Sequence, residues 1–137
     1  MSRISIDDYY LNIAKAVSKR SSCLKRQYGA VIVNNKEIIA TGYNGGPRGE
    51  INCCDVGYCK RLNEPHNSGL YNTCESVHAE QNALLSAARR DMVGGTLYLY
   101  GEENGKLIDA SPCPICHRMI KNAGIENVVV SMEKDDD

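Results

Sequence analysis

The stretch YGAVIVNNKEIIATGYN, Tyr28–Asn44, decides the fold. Two runs rich in β-branched residues, Tyr28–Val33 and Glu37–Gly42, flank the turn residues Asn34, Asn35 and Lys36, so the stretch reads as a β-hairpin. Before it, Ser5–Arg20 opens with Ser-x-x-Asp, like a capping box, and places Tyr10, Ile13, Ala14 and Val17 at helical spacing. After it, a second helix is expected from about Ser76 to Arg90, and GGTLYLYG (94–101) reads as a strand flanked by glycines. Pro114 suits the first turn of a third helix carrying Ile115, Met119, Ile120 and Ala123, with Gly124 as its stop. ENVVVSM (126–132) closes as a strand whose unbroken apolar run predicts burial on both faces. The order α-β-β-α-β-α-β, alternating after an initial hairpin, implies a mixed sheet covered by helices: a three-layer α/β/α sandwich.

The 137 residues suffice for one domain, 1–137, and are too few for two. With 16 basic and 17 acidic side chains the net charge is −1, and no cluster of Lys or Arg marks a surface for duplex nucleic acid or an anionic membrane. A small-molecule substrate is the better expectation. No stretch approaches the ~20 apolar residues of a membrane span, and the charged N-terminus does not resemble a signal peptide, so a cytoplasmic protein is expected. Seven cysteines in such a chain point to metal binding rather than disulfides. Between the hairpin and the second helix, residues 45–73 show no sustained period; a loop of that length is usually functional or held by something.

SPCPIC (111–116) puts Cys113 and Cys116 in a C-x-x-C pair at the start of a helix, where thiolates are favoured for redox chemistry or for metal ligation. A redox pair needs no third ligand, whereas a catalytic zinc takes three protein ligands and leaves a fourth position for water. His78 is the candidate third ligand. Residues at i and i+2 do not share a helix face, so His78 and Glu80 work together only at a first turn, with His78 on the zinc and Glu80 over its water. An isolated H-x-E reads more readily as a polar surface pair; joined to P-C-x-x-C, it matches the zinc-deaminase signature. The chemistry expected is hydrolytic deamination of a pyrimidine or purine ring, with Glu80 as the proton carrier.

RSSCLKRQYGAVIV (20–33), TGYNGGPRG (41–49), NCCDVGYCKR (52–61), VHAEQNALL (77–85) and SPCPICHRMIKNAGI (111–125) follow one another as blocks. With them the chain resembles the cytidine/deoxycytidylate deaminase superfamily, and within it the deoxycytidylate group. The resemblance implies a cytidine-deaminase-like sandwich converting dCMP to dUMP and ammonia. It further implies that Asn44 hydrogen-bonds the sugar 3′-hydroxyl and that backbone groups around Ala79 and Ser111 read the cytosine edge. Arg26 and Lys25 are the first candidates for the 5′-phosphate, ahead of Arg48 and Arg118; Tyr100 or Tyr43 is expected to stack on the base. A homo-oligomer and regulation by dCTP and dTTP also come with the resemblance, although GEENGKLIDA (101–110) is an insertion at the catalytic rim.

Five cysteines remain beyond Cys113 and Cys116: Cys23, Cys53, Cys54, Cys59 and Cys74. A loop poor in apolar residues has little means of ordering itself by burial, and a structural zinc would fix it. Some deaminases of the resembled group carry such a second zinc. Cys23, Cys53, Cys59 and Cys74 are the expected ligands, with Cys54 or His66 as substitutes; reduced, half-buried thiols are the plainer reading of each alone. Other functions stay open: deamination of another cytidine-type substrate or of adenosine in transfer RNA, an inactive zinc-stabilised nucleotide-binding module, or a redox protein using Cys113 and Cys116.

Overall fold

The structure is a computed structural model that describes residues 2–23, 25–46, 49 and 77–132. Helix α1 (Ile6–Ser18) starts at Ser5, whose Oγ accepts the Asp8 N–H at 3.1 Å, and buries Tyr10 and Ala14. Strands β1 (Gln27–Asn34) and β2 (Glu37–Tyr43) form the expected hairpin, and Asn35 and Lys36 both take positive φ, as the tight turn between twisted strands requires. Then follow α2 (Ala79–Leu85), α3 (Arg89–Met92), β3 (Thr96–Glu103), β4 (Lys106–Leu107), α4 (Pro114–Asn122) and β5 (Asn127–Val130).

The sheet is mixed. β1 lies between β2 and β3, antiparallel to both. The far edge of β3 is divided, its first half pairing in parallel with β5 and its end antiparallel with β4. One face buries Val31, Val33, Tyr98 and Tyr100 against α1; the other buries Ala30, Ile32, Leu97 and Leu99 with Ala79 and Ala83 of α2 and Ile120 of α4. These are the three layers. Ile32, Leu97 and Leu99 are fully buried, and each such side chain contributes roughly 1.5–3 kcal/mol. Two glycines set the layer spacing: a Cβ on Gly29 would collide with the Ala14 carbonyl oxygen, and one on Gly42 with the Ala83 nitrogen. Close approach at Gly42 seats α2 directly on β2.

Two expectations are corrected. The helix expected over 76–90 is two helices: Ser86 closes α2, Ala88 is extended, and Leu85 is 76% exposed. The strand expected to be buried on both faces is exposed at Asn127 and Val128 and half-buried at Val129 and Val130, because among the described strands it borders the sheet and pairs only with β3. The GEENGKLIDA insertion turns back on itself at Asn104 and Gly105, both with positive φ, to make β4. No described helix is long and apolar enough to cross a membrane.

Candidate active site

His78 is the N-cap of α2, extended at φ −70° and ψ 152°, and its own N–H is held by the Gln81 side-chain oxygen at 3.0 Å, the backward arm of a capping box. Upstream, Val77 and Gly45 exchange backbone hydrogen bonds of 2.6 and 3.1 Å, which ties the start of α2 to the end of the hairpin. Cys113 is the N-cap of α4, with Pro114 in the first turn, and its sulfur accepts the Cys116 N–H at 3.5 Å. Two helix starts thus face each other across the sheet's inner surface.

His78 Nδ1 lies 3.1 Å from Cys116 Sγ and 3.7 Å from Cys113 Sγ, and the sulfurs are 3.3 Å apart. A tetrahedral zinc with ordinary bond lengths spaces such donors about 3.6 Å (N to S) and about 3.8 Å (S to S). The three donors all lie within 4.8 Å of one another and fit one ion. Cys116 is wholly buried, and burial first, then the Glu80 charge, pushes its thiol up, so a thiolate there calls for a cation. Glu80, in the first turn of α2 and 6% exposed, brings Oε1 to 3.7 Å from His78 Nδ1. Burial raises its carboxyl above the ordinary value, against a smaller opposing effect of its hydrogen bonds to backbone and to Cys116.

Asn44, also buried, lies just past β2 and packs its amide against Ser21, Arg26 and Tyr28. Ala79 is fully buried at the first turn of α2. Ser111 gives both its N–H and its hydroxyl to Asp109 Oδ1, at 2.9 and 2.6 Å, so of its backbone pair the carbonyl is the group left to read a base. Arg26 reaches towards Glu103, with Nε 3.5 Å from Oε1, and its Nη1 is 3.5 Å from the Tyr28 hydroxyl. That long ion pair leaves Nε buried with no hydrogen-bond partner among the described residues. Lys25 is half-buried nearby in sequence. Tyr100 does not face the site: it lies on the α1 face and hydrogen-bonds Glu102 at 3.1 Å, which rules out base stacking.

Of the second cysteine set, only Cys23 is described; it is half-buried, its carbonyl accepting from Gln27 Nε2 at 2.6 Å. Cys53, Cys54, Cys59, Cys74, His66 and Arg48, and most of the 45–73 loop, lie outside the described residues. Sequence reasoning missed Tyr28. Its ring fills the space over Gly101, its direct partner across β1 and β3, with Glu80 and Cys23 among its electrostatic neighbours. A Tyr directly before Gly29 in a strand carries no signal of that placement.

Residues 4–132 match the family model described as the cytidine and deoxycytidylate deaminase zinc-binding region. The chain is similar to the deoxycytidylate deaminase of Schizosaccharomyces pombe, 43% identical over 128 residues, covering 93% of this chain and 37% of that protein. It thus spans little more than a third of that relative's length. The deoxycytidylate deaminase of Mycobacterium phage D29 is 39% identical over 139 residues, covering 97% of this chain and 99% of its own. Among solved structures, the apo dCMP deaminase of cyanophage S-TIM5 superposes with a TM-score of 0.68 at 31% identity, covering 98% of this chain and 88% of that one. The same cyanophage enzyme, solved in complex with dCMP and dUMP, matches at TM-score 0.67 and 30% identity, over 95% and 83% of the two chains. The fold, the paired helix starts and the three-donor cluster belong together with these matches: the chain is a member of the cytidine and deoxycytidylate deaminase zinc-binding family.

Proposed function

We propose that this chain catalyses the hydrolytic deamination of dCMP to dUMP and ammonia. One observation carries the reading: a buried carboxyl, Glu80, stands 3.7 Å from the ring nitrogen of His78, whose donor set with two cysteine sulfurs suits a single zinc ion. His78 Nδ1, Cys113 Sγ and Cys116 Sγ would hold it. Zinc bound there supplies Lewis acidity and lowers the pKa of water towards neutrality. Glu80 takes a proton from the attacking water at its Oε atoms, passes it to the ring nitrogen and delivers a second to the departing amine. Water adds at the aminated ring carbon, the C–N bond breaks, and the carbonyl of uracil forms. Ala79, next in the chain to His78, and the Ser111 carbonyl, two residues before Cys113, are assigned the cytosine edge, and Asn44 the sugar hydroxyl. Arg26, whose Nε has no hydrogen-bond partner among the described residues, and Lys25 are assigned the 5′-phosphate.

A second, structural zinc on Cys23, Cys53, Cys59 and Cys74 would brace the 45–73 segment within a single 1–137 domain. Two zinc ions per chain by elemental analysis, falling to one in Cys53→Ser, are expected. Exposed Tyr43 and Leu85 support a homo-oligomer, and regulation by dCTP or dTTP and a cytoplasmic location complete the reading. The test is a substrate panel of dCMP, CMP, deoxycytidine and adenosine on zinc-replete protein, with and without dCTP or dTTP, following ammonia. Turnover of dCMP well above deoxycytidine is expected; silence across the panel in protein that retains zinc would refute the assignment.

A further inference from the structure

Asn44 carries four hydrogen-bonding positions, two lone pairs on Oδ1 and two hydrogens on Nδ2. Oδ1 accepts the Tyr28 N–H at 2.8 Å and the Ser21 hydroxyl at 2.6 Å, while Nδ2 donates to the Arg26 carbonyl at 2.8 Å. A backbone N–H only donates and a carbonyl only accepts, so these partners settle which way the amide faces. One Nδ2 hydrogen is left without a partner among the described residues. Register places Asn44 beside the site: Gly45 and Val77 form an antiparallel bridge, which makes Asn44 and His78 the next opposed pair. The Ser21 hydroxyl also lies 2.8 Å from the Asn44 carbonyl oxygen and receives the Cys23 N–H at 3.2 Å, fastening the chain between α1 and β1 to the end of β2.

We infer that Ser21 is a positioning residue: its hydroxyl takes the second lone pair of Asn44 Oδ1, so that the amide, whose facing Tyr28 and Arg26 set, offers a substrate's sugar hydroxyl a single N–H donor and no acceptor. This rests on the dCMP reading above. The hydroxyl therefore acts as an acceptor towards Asn44, and removing Ser21 releases one of the two bonds that hold Oδ1 in place. A merely structural serine would affect every substrate alike, whereas a serine acting through Asn44 matters only where the 3′-hydroxyl is present.

The experiment compares dCMP with 2′,3′-dideoxycytidine monophosphate on wild-type protein, Ser21→Ala and Ser21→Thr. Wild type is expected to favour dCMP. Ser21→Ala should lower kcat/KM for dCMP roughly tenfold, the scale of one hydrogen bond, mostly through KM, and change the dideoxy substrate by less than about twofold. Ser21→Thr, which keeps the hydroxyl, should restore dCMP. Equal losses on both substrates, or a wild type that turns over dCMP without distinguishing the analogue, overturn the inference. A wild type that turns over neither refutes the dCMP reading and takes this inference with it. Should Ser21→Ala fail to fold, Ser21→Cys, whose thiol is a weaker donor, takes its place: it should narrow the preference for dCMP over the dideoxy analogue, and an unchanged preference would be equally fatal.

Discussion

The two faces of the sheet both bury polar groups, and they treat them in opposite ways. On the α1 face each has a partner of complementary character: the Tyr98 hydroxyl gives its hydrogen to Asp7 at 2.9 Å, and Glu102 is held by Lys19 at 2.7 Å and by the Tyr100 hydroxyl. On the opposite face His78, Cys113, Cys116 and Glu80 converge, and the charged forms of Cys116 and Glu80 are both disfavoured by burial. Satisfied polar groups stabilise a layer. A concentration of ligand atoms whose charged forms burial disfavours marks where an ion and a reaction belong.

The largest effect that separates the faces is expected from Cys116→Ala. With one of three donors gone, zinc content measured by elemental analysis should fall and turnover with it, while Lys19→Met on the other face should leave both unchanged. Zinc and activity retained in Cys116→Ala would erase the distinction. Next comes Glu80→Gln, which keeps the size of the side chain and removes its capacity to carry the proton. Steady-state kcat should drop by about 10²–10⁴, the usual contribution of general acid–base catalysis, with zinc content and thermal midpoint preserved. Wild-type turnover in this variant would mean that the proton travels by another group.

Why one face was legible in the chain and the other was not follows from what each signal encodes. His78, Glu80, Cys113 and Cys116 announce themselves because ligand chemistry restricts both residue type and spacing, and because capping positions leave marks of their own in Gln81 and Pro114. The hairpin at Tyr28–Asn44 is equally readable, since its turn demands residues that accept positive φ. TLYLY is apolar on both sides, so alternation shows that Leu97 and Leu99 oppose Tyr98 and Tyr100 without showing which pair faces the site. Register decides it: Tyr100 lies opposite Gly29, and Gly29 abuts α1. The Asn44 amide illustrates the same limit, because its partners stand 16, 18 and 23 residues away and no local pattern joins them. Exposure of Val128 likewise depends on β5 taking a border position, a property of strand order rather than of the strand.

The smallest effect belongs to Tyr98→Phe, on the satisfied face. The hydroxyl's partner, Asp7, is exposed and can return to water, and the variant leaves no buried group orphaned, so the cost at neutral pH should be about 1 kcal/mol, one ordinary hydrogen bond. Activity should not change. The pH dependence is more telling than the size. Burial first, then the hydrogen bond to Asp7 and its charge, push the Tyr98 phenol up to about 12, whereas in the unfolded chain it ionises near 10. The folded state therefore holds this proton more tightly, and the stability that follows is complete below about pH 10 and drains away as pH rises through about 12. Denaturant midpoints for wild type and Tyr98→Phe should accordingly differ by a constant amount up to about pH 10 and approach one another above it. A gap that stayed constant through pH 12 would show that Tyr98 ionises alike in both states, and the α1 face would then lose its claim to be the one on which every buried proton is accounted for.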